Sequence, residues 1–249
     1  GAPRILLQKP SLRSQMTPPS ARRPAPSANP SGTHFAEPQA PGLRLAVVVH
    51  LFYTDQWPEF LTAFGNIRQP FRLFVSLTPE SSFAPTILSA FPDAIVRPMP
   101  NVGRDVAPFL AFLPELQDFD VVCKLHTKRS EIGHRGWRQS LVDGLIGSPA
   151  VVQDYLNAFA AEPDLIMAGP RSAYVDGKSH LYATARAVAA QHGALPPDWG
   201  FFAGTMFWCR PQAFAGLDEV YPQDAFVAHA DRDGHPEHAV ERAFGVIAS

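Results

Sequence analysis

Two polar clusters interrupt the apolar runs of this chain, and both carry groups suited to holding an anion. The first, Asn101-Val102-Gly103-Arg104-Asp105, follows one apolar stretch and opens another at Val106. A turn that only reverses the chain has no need of a guanidinium beside a carboxylate; a site that grips a charged, hydrogen-bonding ligand does. The second, Lys124-Leu125-His126-Thr127-Lys128, ends a further apolar run. Alternate side chains of a strand share a face, so Lys124 and His126 point one way and Cys123 and Leu125 the other, with Lys128 continuing the polar side. A lysine inside an apolar strand is costly unless its charge is partnered, and Asp105 or Asp120 would serve for Lys124 alone. One carboxylate is too few for Arg104, Lys124, His126 and Lys128 together. A diphosphate suits such a crevice, since a charge pair at ~4 Å is worth roughly 4 kcal/mol at an effective dielectric near ~20.

The elements that must bring these clusters together are legible as alternating strand and helix patterns. Residues 45–50 are a continuous apolar run, as in a strand buried on both faces. Residues 56–64 place Trp57, Phe60, Leu61 and Phe64 on one helical face. Strand 71–77, helix 83–91, strand 94–99, helix 106–116 and strand 119–126 follow, with Pro108 tolerable only in its helix's first turn. This alternation predicts an α/β fold, Rossmann-like, with a mostly parallel central sheet flanked by helices. Ligands of such sheets bind beyond the carboxyl ends of the strands, where 101–105 and 124–128 both project. The second half is less regular: helices over 140–145, 149–159, 183–192 and 236–244, a strand over 165–169, and a glycine-punctuated aromatic strand over 200–210.

Composition narrows the classes. Of 249 residues, 21 are Lys or Arg and 23 Asp or Glu, a net charge of -2, so no strong basic field favours nucleic acid. The two cysteines, Cys123 and Cys209, lie in apolar segments and make no disulfide framework, which suits a reducing, cytoplasmic compartment. No apolar run approaches the ~18 residues of a membrane span, and no signal peptide is recognisable. Residues 1–42 are rich in Pro, Ser and Arg and are expected to be a disordered linker or arm; 43–249 would be the globular domain.

Further candidates lie in the second half. Gly204 allows close backbone approach to a ligand, and Trp208 offers a face for a sugar ring, although core packing competes for it. Trp137 and Arg138 follow the polar loop 130–136, which is placed to close over the site. Near the C-terminus, Asp233 or His235 is suited to cap the helix begun at Pro236, and His238, Glu241 and Arg242 share a helical face. Asp105, Asp233 and Glu241 are the candidate general bases. A metal site from His235 and His238 lacks companion ligands in a strong pattern, and none is expected.

On these residues the chain resembles the rhamnan synthesis protein F family of bacterial cell-surface polysaccharide enzymes. The stretches that carry the resemblance are 47–60, NVGRDVAPFL at 101–110, CKLHTKRS at 123–130, AGTMFWCRP at 203–211 and DGHPEHAVERAFG at 233–245. The resemblance implies a GT-A-like glycosyltransferase that moves a deoxyhexose, above all rhamnose, from a nucleoside diphosphate sugar to a growing glycan. Residues 43–128 would then form the nucleotide-sugar half and 129–249 the acceptor half. Asn101, Gly103, Arg104, Asp105, Lys124, His126, Lys128, Gly204 and Trp208 would bind the donor, and Trp137, Arg138 and His238 would face the acceptor. Enzymes of that fold usually carry Asp-x-Asp at the end of the fourth strand to hold a divalent metal. Lys124 to Lys128 stand there instead, so cationic side chains are expected to neutralise the departing diphosphate without a metal or other cofactor. The expected partners are the donor and a glycan or lipid-linked glycan at the inner face of the cytoplasmic membrane, within a larger multidomain chain or synthesis complex. A non-catalytic glycan-binding or scaffolding module of a multidomain synthase is the rival reading. A phosphate-ester hydrolase would need a nucleophile motif or a two-metal carboxylate set that is not recognisable here.

Overall fold

The computed structural model of the protein describes residues 5–8, 42–129, 137–177, 188, 191, 195–228 and 234–249. The strands are β1 (Ile5–Gln8), β2 (Leu45–His50), β3 (Phe71–Leu77), β4 (Ile95–Pro98), β5 (Val121–His126), β6 (Met167–Pro170), β7 (Tyr174–Asp176), β8 (Gly200–Phe202) and β9 (Phe207–Cys209). The helices are α1 (Trp57–Phe64), α2 (Ala84–Ala90), α3 (Val106–Leu116), α4 (Trp137–Ile146), α5 (Pro149–Ala161), the short α6 (Leu217–Val220) and α7 (Pro236–Ile247).

Seven strands form the main sheet in the order β1-β6-β9-β5-β2-β3-β4. β2 is buried along its whole length, as its unbroken apolar run requires, and lies at the centre of the parallel block. It pairs in parallel with β3 on one side and β5 on the other, and β3 pairs in parallel with β4. The chain therefore runs outward from β2 to β4 and then crosses back to β5. Strand order reverses between β2 and β5, and a crevice opens beyond their carboxyl ends. The register sets His50 opposite His126, so two histidines end the central strands side by side at that crevice.

Beyond β5 the sheet is antiparallel: β9 pairs with β5 and β6, and β1 pairs with β6. Two expectations need correcting here. The stretch 200–210 is not one strand. Gly204 and Thr205 adopt left-handed φ of 85° and 49°, which turns the chain, so β8 pairs with β7 in a separate small sheet while β9 enters the main one. A β-branched residue pays a steric cost in that conformation, so the turn must be held from outside. Secondly, Ile5–Gln8, inside the stretch read as a disordered arm, supplies the edge strand beside β6. Residues 9–41, and almost all of the helix expected over 183–192, lie outside the described residues.

Aromatic packing fixes the last helix over the crevice. The Phe244 ring of α7 lies 5.7 Å from Phe109 of α3 and 5.3 Å from Phe207 of β9, edge to face in both cases. All three rings are fully buried. Truncating Phe244 to Ala would cost about 3–5 kcal/mol by the usual core rule, and would loosen α7 from both neighbours. His235 caps this helix. Its side chain accepts from the His238 backbone, and its own N–H donates to His238 Nδ1 at 3.4 Å.

Candidate active site

The crevice is a cavity of about 410 Å³, within the ~300–1,000 Å³ usual for small-molecule sites. Five elements build it: the ends of β2 and β5, the N-terminus of α3, the left-handed turn at Gly204–Thr205, and the first two turns of α7. Asp105 stands just before α3 but makes no capping bond to it. Its Oδ2 instead accepts from Lys124 Nζ at 2.5 Å and from the Thr205 hydroxyl. Lys124 Nζ also donates to Thr205 O at 2.8 Å. Burial pushes the Asp105 carboxyl up, but His126 and Lys124 together with the two hydrogen bonds outweigh it and hold the group well below the usual carboxylate range.

Lys124 is 1% exposed and does not line the cavity. Direct diphosphate binding by Lys124 is therefore corrected: Asp105 partners it, because α3 and the Gly204 turn cover the strand face from which it projects. Trp208 is corrected likewise. It is fully buried, stacks on Tyr155 with ring centroids 5.8 Å apart, and donates from Nε1 to Leu145 O at 3.2 Å. Gly103 does not line the cavity either. Its φ of 61° turns the chain, and a Cβ there would lie 2.5 Å from the Phe226 ring.

His126 faces inward between two carbonyls, with Nε2 2.7 Å from Gly204 O and Nδ1 3.0 Å from Thr127 O. Carbonyls only accept, so the imidazolium satisfies both contacts, and Asp105 Oδ1 lies 3.8 Å from Nε2. Burial opposes that charge and lowers the pKa, while Asp105 and the two carbonyls pull it up. His50 places Nδ1 2.9 Å from the Ser76 hydroxyl, and burial lowers its pKa to about 4. Glu241 accepts from Gly204 N–H at Oε1 (3.1 Å) and from Arg242 Nη1 at Oε2 (2.6 Å). Burial raises its pKa against the pull of Arg242. The strained turn is thus gripped by Asp105, Lys124, His126 and Glu241, four of the residues singled out from sequence.

Of the other expected residues, Asn101, Arg104, Lys128, Gly204 and His238 line the cavity. Arg104, itself left-handed at φ 54°, places Nε 3.7 Å from Glu237 Oε1. Gln56 fixes Lys128 at the rim, accepting from its N–H at 3.3 Å and donating to its carbonyl at 3.2 Å. Asp233 and the side chains of Trp137 and Arg138 lie outside the described residues, as does the loop 130–136.

Several lining residues escaped the sequence reading. Thr127 Oγ1 accepts from the N–H groups of Phe52 (2.9 Å) and Tyr53 (3.0 Å), which presents both rings at the mouth. Arg129 lies 4.5 Å over Tyr53 and pairs with Asp55 at 3.0 Å. Glu237, in the first turn of α7, is 2% exposed and faces the cavity. Its only sequence signal was a carboxylate between two histidines just after a helix-starting proline.

The chain matches the rhamnan synthesis protein F family over residues 31–176. Two proteins of Xanthomonas campestris pv. campestris, from strains B100 and ATCC 33913, each described as uncharacterized protein WxcX, are 30% identical to it over 216 residues. The alignment covers 82% of this chain. The chain belongs to the rhamnan synthesis protein F family. It spans 31% of the length of those two relatives. No solved structure matches it. The motif NVGRDVAPFL, within the matched region, builds the α3 side of the cavity. Lys124 is committed to Asp105, Thr127 holds the Phe52 loop, and among the described residues no group of three or more His, Cys, Asp or Glu is placed to hold a metal ion. No helix among the described residues is long and apolar enough to cross a membrane.

Proposed function

We propose that the chain is a glycosyltransferase unit with a GT-A-like fold, which moves a deoxyhexose, rhamnose in the first instance, from a nucleoside diphosphate donor to a growing cell-surface glycan. The observation that carries this reading is the separation of charge within one cavity. Arg104 and Arg129 stand at the mouth with side chains 53% and 61% exposed, and Lys128 stands beside them. The carboxylates Asp105, Glu237 and Glu241 lie within, all largely buried. An anion suits the rim, and a neutral ring rich in hydroxyl donors suits an interior lined by acceptors. A nucleoside diphosphate sugar has both parts in that order.

In this reading Arg104, Lys128 and Arg129 neutralise the leaving diphosphate, the task a metal performs in other enzymes of the fold. Lys124 acts indirectly, by fixing Asp105 and the Gly204 turn. Asn101 and Asp105 bond donor hydroxyls, and His126 stiffens the floor. Phe52 and Tyr53 give the flat apolar faces on which a base or sugar ring stacks. The acceptor is a glycan or lipid-linked glycan, presented at the inner face of the cytoplasmic membrane.

A non-catalytic module of a larger synthase remains the second reading, favoured by the chain's match to a third of its relatives' length. One thermal-shift panel with UDP, GDP, dTDP and their sugars, with and without chelator, followed by donor turnover, separates the two. A transferase gives a donor-specific shift that survives chelation, and turnover. Binding without turnover selects the module, and a shift that needs a divalent ion refutes metal-free neutralisation.

A further inference from the structure

We infer that Glu237 takes the proton from the acceptor hydroxyl during transfer, and that Arg104 holds this carboxylate until the donor diphosphate draws the guanidinium away. The inference rests on the transferase reading above and deepens it to one catalytic residue. Among the described residues three carboxylates face the cavity, and their surroundings divide the work. Asp105 accepts from Lys124 and Thr205 at a single oxygen and is held in its weakly basic, ionised form. Both oxygens of Glu241 are committed, one to the Gly204 N–H and one to Arg242, and withdrawing them would release the strained turn.

Glu237 is differently held. It lies in the first turn of the 12-residue α7, where the helix dipole steadies a negative charge in a nearly solvent-free position. Its contact with Arg104 is 3.7 Å through Nε, an ion pair beyond hydrogen-bond length. Arg104 is half-exposed at the cavity rim, so an arriving diphosphate offers it two full charges in reach. Moving the guanidinium onto the donor takes this cation away from Glu237 at the moment the acceptor proton must be received.

The step balances without a further reactant. The acceptor oxygen bonds to the anomeric carbon from the face opposite the leaving group, and that carbon's bond to the diphosphate oxygen breaks. The bonding pair leaves with the diphosphate onto Arg104 and Lys128, and the acceptor proton passes to a Glu237 oxygen. The anomeric centre inverts.

The test is Glu237→Gln in the full chain, with UDP, GDP and dTDP as binding probes and their sugars as donors. Removing the charge of Glu237 takes away one anionic neighbour of Arg104, so the nucleoside diphosphate should bind at least as tightly as to wild type. Turnover should fall roughly 10²–10⁴-fold, the usual contribution of a general base. Tight binding with lost turnover is a pairing that a folding lesion does not produce. Turnover within tenfold of wild type overturns the role of Glu237 while leaving the transferase reading intact. Wild type that neither binds nor turns over any of these donors overturns both. Should Glu237→Gln bind no nucleotide, Glu237→Asp keeps the charge and shortens the reach. Wild-type-like binding with lowered turnover then supports the role, and loss of binding in both variants makes Glu237 structural and ends the proposal.

Discussion

Replacing Lys124 with Met removes a charge while keeping most of the stem, and its consequences can be worked through. Lys124 Nζ is the closest cation to Asp105, at 2.5 Å, and both side chains are largely out of water, at 1% and 13% exposed. Breaking such a pair by removing one partner costs about 3–5 kcal/mol, because a buried charge is left uncompensated. At ~2–4 °C per kcal/mol for a chain of this size, the melting midpoint at pH 7 should fall roughly 6–20 °C. The pH dependence has a definite sign. In the wild type the folded Asp105 pKa lies below its ordinary 3.8, so the stabilisation is present at neutral pH and is lost only as pH falls through the acidic range below that value. In the variant, burial dominates and raises the Asp105 pKa, so acidification protonates the stranded carboxylate and narrows the gap to wild type. Asp105→Asn added to Lys124→Met should recover part of the loss, since no buried charge then remains. Urea titrations at pH 7 and pH 5 on wild type, both single variants and the double variant measure all of this. A loss under about 1 kcal/mol at pH 7, or a double variant no more stable than Lys124→Met, would refute the claim that this pair organises the site.

Arg104→Gln and Lys128→Gln should each weaken nucleoside diphosphate binding about tenfold, with a shallower salt dependence than wild type, as titrations at low and high ionic strength would reveal. Unchanged affinity in both would remove them from the anion site. Gly103→Ala should destabilise the fold by about 1–3 kcal/mol in chemical denaturation, since the position is left-handed and its Cβ would meet the Phe226 ring at 2.5 Å. A neutral result would mean that the turn relaxes freely. His50 is held near a pKa of about 4, below its ordinary 6.5, so the unfolded chain binds more protons between those values and stability falls as pH drops through that window. His50→Gln should flatten that part of the stability profile, and an unaltered slope would assign it to other groups.

The helix Val106–Leu116 was readable to the residue, because a polar turn precedes it and apolar side chains recur along it without a break. The four parallel strands were readable because buried apolar runs alternate with amphipathic helices. The break at Gly204–Thr205 was not, since β-branched and aromatic residues around it have ordinary strand character and the left-handed turn is held only by side chains far away in sequence. Ile5–Gln8 was lost for a similar reason: four residues within a Pro- and Ser-rich stretch carry no signal until the β6 edge is there to pair with them.

Alternation along β5 placed Lys124 and His126 on one face, and that much is a property of any extended chain. What covers that face is decided by the fold. The start of α3 and the Gly204 turn close over Lys124 and convert it from a ligand-facing cation into the anchor of Asp105, while leaving Lys128, two positions beyond the strand, at the rim. Sequence alone determined which residues carry charge and where apolar runs demand burial, because both depend on side-chain chemistry and local periodicity. Which charges neutralise one another and which remain for a ligand depended on distances between β5, α3 and α7, the last of which lies more than a hundred residues from the other two, and only packing sets those distances.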